Sequence, residues 1–346
     1  MKFGLTFGFI VPPDKGISEQ QPYLDMLDCL PRAEELGYTS AHQTEHHFQF
    51  DGHCPSPLVG MMAAAAVTEE MRVCTNVLLA PLYAPVRLAE DVAVLDNLSD
   101  GRLTLGVSPG YASEEFAGHM VPYEERFRRF EETMDLLQLA FTQETFEFKG
   151  EFFDVPPTRL SPKPVQKPHP PIWYGVSGPK LLRRAAKRHC ILVASPRHTV
   201  PELKEHYRIY EEHCAEFGFK PDWRPAMKGV FVAETMEKAE EIAGPAVTHL
   251  FVNLYGKKSA QGERQLRNDA GDLITDMDQV DFETFKSRYL IGDPETVAEK
   301  LRVMNDELAL DELTCWMHLP GISQRDATNS MELFAREIMP EFGAGA

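Results

Sequence analysis

Short apolar runs alternate with longer runs of helical spacing along almost the whole chain. Continuous or alternating apolar stretches predict strands at 2–10, 39–43, 71–79, 102–107, 172–176, 191–194, 228–233 and 313–317. Stretches with apolar positions three and four apart predict helices at 23–36, 57–67, 85–98, 126–141, 179–187, 200–217, 236–251, 294–306 and 324–338. Gly37 sits just past a helix end, where a left-handed backbone is needed. Pro85 and Pro294 sit in first turns, where the missing N–H costs nothing. About eight strand–helix units in succession predict an α/β fold, a parallel (β/α)8 TIM barrel, as a single domain over 1–346.

Two segments interrupt the alternation. Residues 144–171 hold FEFKGEFFDV, read as a hairpin turning at Lys149-Gly150, followed by the Pro-rich SPKPVQKPHPP. They predict an insertion between the fourth and fifth strands. Residues 254–288 are long, polar and weakly periodic, which predicts a mobile lid over the barrel mouth before the last unit.

The formal charge of -18 lowers the prospects of nucleic acid or anionic membrane as partners. No apolar run approaches the roughly 18 residues of a membrane span, and the first residues read as a strand and not as a signal peptide. The six cysteines are scattered with no C-x-x-C pair, so free thiols in a reducing cytoplasm are expected rather than disulfides or a structural zinc.

The densest chemistry lies in HQTEHHFQF, from His42 to Phe50. His42-x-x-Glu45-His46 matches the spacing of an inverted zinc-protease motif, but that motif needs a helix. Here Gly37 has ended one helix, Tyr38–Ser40 favour extended chain, and Phe50-Asp51-Gly52 signals a turn. The expectation is no metal site, with His42 in the second strand and Glu45 and His46 on the loop after it. That loop lies on the C-terminal face, where barrels place their chemistry. Ordinary packing of a histidine stands beside a catalytic or cofactor role.

TEHHF resembles the E-H-H-F motif of the bacterial luciferase-like, flavin-dependent monooxygenases. So does APLYAPVRLAEDVAVLDNLSDGRLTLGVSPGY at 80–111, and so do PVQKPHPPIWYGVSGP at 164–179 and GDPETVAEKL at 292–301, in collinear order. The resemblance implies a TIM barrel. It implies a monooxygenase that uses reduced FMN and O2, through a flavin hydroperoxide, to oxygenate a small organic substrate. A separate NAD(P)H:flavin reductase would supply the reduced FMN, and the chain would form a homodimer through the helix at 57–67, whose small residues serve internal packing equally well. An F420-dependent dehydrogenase on the same fold and a non-catalytic flavin-binding subunit are the alternatives.

By position in the motif, His46 matches the catalytic histidine, and Glu45 would orient it or hold the loop. Thr75 and Asn76 fall where the family often carries a non-proline cis peptide behind the flavin ring. Ser177 and Gly178, at the start of the fifth predicted helix, would meet the flavin phosphate, or simply form a strand–helix turn. Tyr111 would reach the phosphate or the ring. Pro109 stands where luciferase has a phosphate-binding Arg, and Lys180, Arg183 or Arg184 would compensate. Phe7, Phe9, Leu79, Trp173 and Trp316 near strand ends would line an apolar substrate pocket or pack the core.

Overall fold

The computed structural model describes residues 1–256 and 266–343. Nine parallel strands form one curled sheet: β1 (Lys2–Phe7), β2 (Ser40–Gln43), β3 (Arg72–Leu79), β4 (Leu103–Ser108), β7 (Ile172–Gly175), β8 (Ile191–Val193), β9 (Pro225–Val232), β10 (Leu290–Gly292) and β11 (Glu312–Trp316). Their hydrogen-bonded order is β10-β9-β11-β1-β2-β3-β4-β7-β8. β8 and β9 lie in contact without a ladder, which brings the sheet round into a TIM-barrel-type fold. The strands are almost wholly buried, as parallel strands between a packed interior and a helical layer must be.

The helices outside are α1 (Gln21–Glu35), α2 (Pro57–Val67), α3 (Pro85–Leu98), α4 (Ser113–Gly118), α5 (Arg126–Thr142), α6 (Pro179–Lys187), α7 (Val200–Glu216), α8 (Met236–Leu250), α9 (Pro294–Leu308) and α10 (Gln324–Glu337). Prolines begin α2, α3, α6, α7 and α9, and Thr199 with Glu202 forms a reciprocal cap on α7. Predicted and observed helix ends agree closely. Three differences are instructive. β1 stops at Phe7 rather than 10, because Gly8 packs under the Trp316 ring and Phe9 takes a positive φ of 57°. β10 and the short α4 have too few residues to show a period. β10 pairs with the C-terminal half of β9, while β11 pairs with the other half.

The insertion contains the hairpin β5 (Phe146–Lys149) and β6 (Asp154–Thr158). Its turn is longer than the predicted Lys149-Gly150. Lys149 pairs with Asp154, and the Glu132 carboxylate of α5 accepts the N–H groups of Glu151 and Phe152 at 2.6 and 3.0 Å. Of the predicted lid 254–288, residues 257–265 lie outside the described residues. Within its described part, Leu266, Met277, Val280 and Phe285 are buried in a cluster with α8 and β9, so this stretch is packed against the barrel. No helix among the described residues is long and apolar enough to cross a membrane.

Candidate active site

Residues at or just past the C-terminal ends of β2, β4, β7 and β8, with Asn76, Val77 and Leu79 of β3, Met227 of β9 and Trp316 at the end of β11, border a cavity of about 300 Å³. That is at the small end of the range for organic-ligand sites. Val77, Leu79, Val176, Val193, Met227 and Trp316 make its apolar wall, and Leu254 and Tyr255 close it from the end of α8.

His46 stands on this cavity with 14% of its side chain exposed. Its Nδ1–H donates to Glu115 Oε1 at 2.8 Å, and the same oxygen accepts the backbone N–H of His47 at 3.0 Å. Glu115 is completely buried on α4. A carboxylate fixed at Nδ1 sets the tautomer and leaves Nε2 as the working nitrogen. The loop is held in shape by His46 N–H donating to Cys54 O at 3.2 Å and by positive φ at Phe48 (56°) and His53 (87°).

Glu45 also borders the cavity, yet it does not orient His46. Its carboxylate accepts His47 Nε2–H at 2.8 Å, Leu79 N–H at 2.7 Å and Tyr83 O–H at 3.0 Å, so it ties the loop to β3. Burial pushes its carboxyl up from the ordinary range despite these three donors. The carboxylate on His46 is Glu115, which sequence reasoning missed. It lies 69 positions downstream on a six-residue helix, and no local pattern marks it.

His42 belongs elsewhere. It lies inside the barrel, with Nε2 at 2.9 Å from Ser40 Oγ and 3.4 Å from Glu312 Oε1. Glu312 also binds Arg72 at 2.5 Å, Trp223 Nε1–H at 2.8 Å and the Ser40 hydroxyl. His42 and His46 therefore face different surroundings, which removes the zinc-protease spacing as a constellation. Among the described residues no group of three or more His, Cys, Asp or Glu could hold a metal.

Of the predicted flavin contacts, Asn76, Tyr111 and Ser177 border the cavity. Thr75 does not: it is fully buried, with its hydroxyl donating to Gly106 O at 2.7 Å between β3 and β4. The non-proline cis peptide lies one residue beyond Thr75-Asn76, at Asn76–Val77. Gly178 is not on the wall either. It is the N-cap of α6, with a φ of 83° that favours glycine.

Lys180, Arg183 and Arg184 are also off the wall, and the last two pair with Glu216 and Glu131. The guanidiniums on the cavity are Arg126 and Arg197. Arg126 lies on the Tyr123 and Phe127 rings, and its buried Nε has no hydrogen-bond partner among the described residues. Arg197 has no carboxylate partner among the described residues. Its carbonyl accepts Arg288 Nη1–H at 2.9 Å, while Arg288 also binds Asp269 and the Arg267 carbonyl in the predicted lid.

The predicted apolar pocket is divided. Leu79 and Trp316 line this cavity, Phe7 and Phe9 line a second one of about 250 Å³ beside α1, and Trp173 packs in the barrel near His42.

The family model for luciferase-like monooxygenases matches residues 1–312. The chain belongs to this family. Among luciferase-like relatives it is 26% identical, over 94% of its length and 91% of the other's, to the oxygenase component of a flavin-dependent trigonelline monooxygenase from Acinetobacter baylyi. The fold is shared with the oxygenating constituent of a 3,6-diketocamphane monooxygenase from a Pseudomonas putida plasmid in complex with FMN. That match has a TM-score of 0.82 and 22% identity, over 99% of this chain and 98% of that one. An F420-dependent secondary alcohol dehydrogenase in complex with an F420–acetone adduct also matches, with a TM-score of 0.75 and 17% identity over 98% of each chain. The luciferase-like scaffold thus spans flavin- and F420-dependent proteins.

Proposed function

We propose that this chain is the oxygenase component of a two-component monooxygenase that uses reduced FMN and O2 on a small apolar substrate. One observation carries the reading: His46, fixed through Nδ1 by the buried Glu115, stands at an apolar cavity of a luciferase-like barrel. The donor set fits a flavin phosphate at one end. Ser177 borders the cavity next to the start of α6, whose first N–H groups have no side-chain cap, and Arg126 and Arg197 bring positive charge.

When bound, reduced flavin supplies the electrons for O2 activation. The chain does the rest. Val77, Val176 and Met227 form an apolar wall that excludes water, Ser177 and the guanidiniums hold the phosphate end, and Nε2 of His46 takes or gives a proton at the reacting centre. Glu45 and Asn76 shape the loop and wall around it. A separate reductase would supply the reduced flavin, a reading supported by the similarity to the oxygenase component of a flavin-dependent monooxygenase.

The deciding experiment is titration of the purified protein with FMN and with F420, followed by NADH-driven oxygen consumption with an added flavin reductase. Tight F420 binding with reduction of F420 by an alcohol would overturn the proposal. Arg197→Ala is expected to weaken FMN binding about tenfold to a hundredfold, as for loss of a charge-assisted hydrogen bond, with riboflavin affected less if the phosphate is its partner.

We also propose a homodimer through α2, in a reducing cytoplasm. α2 buries Leu58, Gly60, Met61 and Ala64 against the barrel, with Gly60 closely packed on Gln43. Its Val59 and Val67 are exposed, as are Val94 and Leu98 of α3. All six cysteines are buried free thiols.

A further inference from the structure

Arg197 borders the cavity in the loop after β8, and two successive carbonyls of that loop are each held by a buried cation. The His198 carbonyl accepts from Lys228 Nζ of β9. The Arg197 carbonyl accepts Arg288 Nη1–H at 2.9 Å, across 91 positions. Arg288 is buried and ends the short turn Lys286–Arg288 before β10. Its other bonds all go to one turn. Nε–H donates to Asp269 Oδ1 at 2.8 Å, and Nη2 donates to the Arg267 and Asn268 carbonyls at 2.7 and 3.2 Å. The guanidinium lies 5.2 Å from the Phe285 ring centroid and 5.8 Å from that of Phe251, and the two rings stack 3.5 Å apart. Phe251 opens the turn whose Leu254 and Tyr255 close the cavity. A single side chain thus joins the 267–269 turn, the Phe251 turn and the Arg197 loop.

We infer that Arg288 is a positioning residue for the phosphate end of the cavity. Oriented by Asp269, it fixes the loop after β8 so that Arg197 presents its guanidinium to the anion. The inference rests on the proposed phosphate contact of Arg197.

The chemistry suits the task. A guanidinium donates in fixed directions within one plane, so the bonds to 267–269 determine where Nη1 points. The Asp269 carboxylate compensates the buried charge of Arg288, which an unpaired guanidinium could not bear without a large desolvation cost. A loop fixed before the ligand arrives also reduces the ordering cost of binding. A staple that merely held residues 266–288 to the barrel would affect every cavity ligand alike. A positioning residue acts on the ligand that carries the phosphate.

The test compares FMN with riboflavin, which lacks the phosphate, by fluorescence titration of the purified full chain. Arg288→Lys keeps the charge but not the fork, and Asp269→Asn keeps an acceptor but not the charge. Each is expected to weaken FMN binding about fivefold to tenfold, with riboflavin changed less than about twofold, as for coupling between contacting residues. Added to Arg197→Ala, Arg288→Lys should cost nothing further. In flavin-free protein, amide exchange over residues 195–199 should speed up at least about fivefold in Arg288→Lys. If Arg288→Lys does not fold, Asp269→Asn carries every comparison. Equal losses for FMN and riboflavin, or losses that multiply in the double variant, mark a staple and overturn the inference. So does unchanged FMN affinity in Arg288→Lys when Arg197→Ala weakens it, an outcome that leaves the phosphate contact standing. Unchanged FMN affinity in Arg197→Ala rejects the phosphate contact itself. Exchange over 195–199 then decides on Arg288: faster exchange supports its hold on the loop, and unchanged exchange overturns it.

Discussion

Replacing His46 with Asn is expected to lower kcat by about 10²–10⁴, the range for loss of a positioned general acid or base. FMN affinity should change little, because the proposed phosphate contacts lie at Ser177 and the guanidiniums and not at His46. Glu115→Gln should fall between the variant and wild type and should move the pH–rate profile. Its amide cannot stabilise an imidazolium, although it can still accept the Nδ1–H. Rates of reduced-FMN reoxidation and of product formation, with whichever small organic substrate the wild type accepts, provide the readout. If His46→Asn keeps kcat within threefold of wild type, His46 has no proton role here. The contrast with Glu45→Gln is informative. That substitution loosens the loop at His47, Leu79 and Tyr83, so it should cost stability and disturb both kcat and KM.

The second large effect concerns stability. Glu312 is fully buried among Ser40, His42, Arg72 and Trp223. Burial would raise its carboxyl, but His42, Arg72 and Ser40 hold it far below the ordinary range. Glu312→Gln removes one partner of a buried ion pair and should cost about 3–5 kcal/mol in denaturant unfolding. The pH dependence has a definite sign. A depressed carboxyl pKa contributes stability above the ordinary value of 4.5, and this is lost as the pH falls below it.

His42 behaves in the opposite sense. Burial would lower it, yet Cys74 and Glu312 hold it up at about 9, against 6.5 unfolded. Its contribution, on the order of 3 kcal/mol, is complete below pH 6.5 and is lost as the pH rises through 9. Unfolding free energies at pH 6, 7.5 and 9 should show this fall in wild type and a smaller one in Glu312→Gln, where Cys74 still acts on His42. Equal slopes in the two proteins would show that the pair is not the source.

Much of the barrel was legible because its signals are local. Helix stripes, proline first turns and apolar strands fall at fixed spacings, so α2, α3 and α6 were located to the residue. β10 was not legible: three residues carry no period, and its place is set only by pairing with the outer half of β9. The hairpin turn was misplaced because its length is set by Glu132 on the preceding helix, whose carboxylate caps it outside the hairpin's own sequence.

The sequence by itself determined the fold class, the family resemblance and the placing of His46 after the second strand. Each follows from residue order within one short segment or from a repeated pattern. Only the tertiary structure decided what each titratable group faces. It paired His46 with Glu115 rather than Glu45, sent His42 to Glu312 across the barrel, put Arg126 and Arg197 on the cavity, and joined Asp51 to His249 across 198 positions. Charge chemistry depends on distance and burial, and in a closed barrel those are set by which strand ends meet at the mouth.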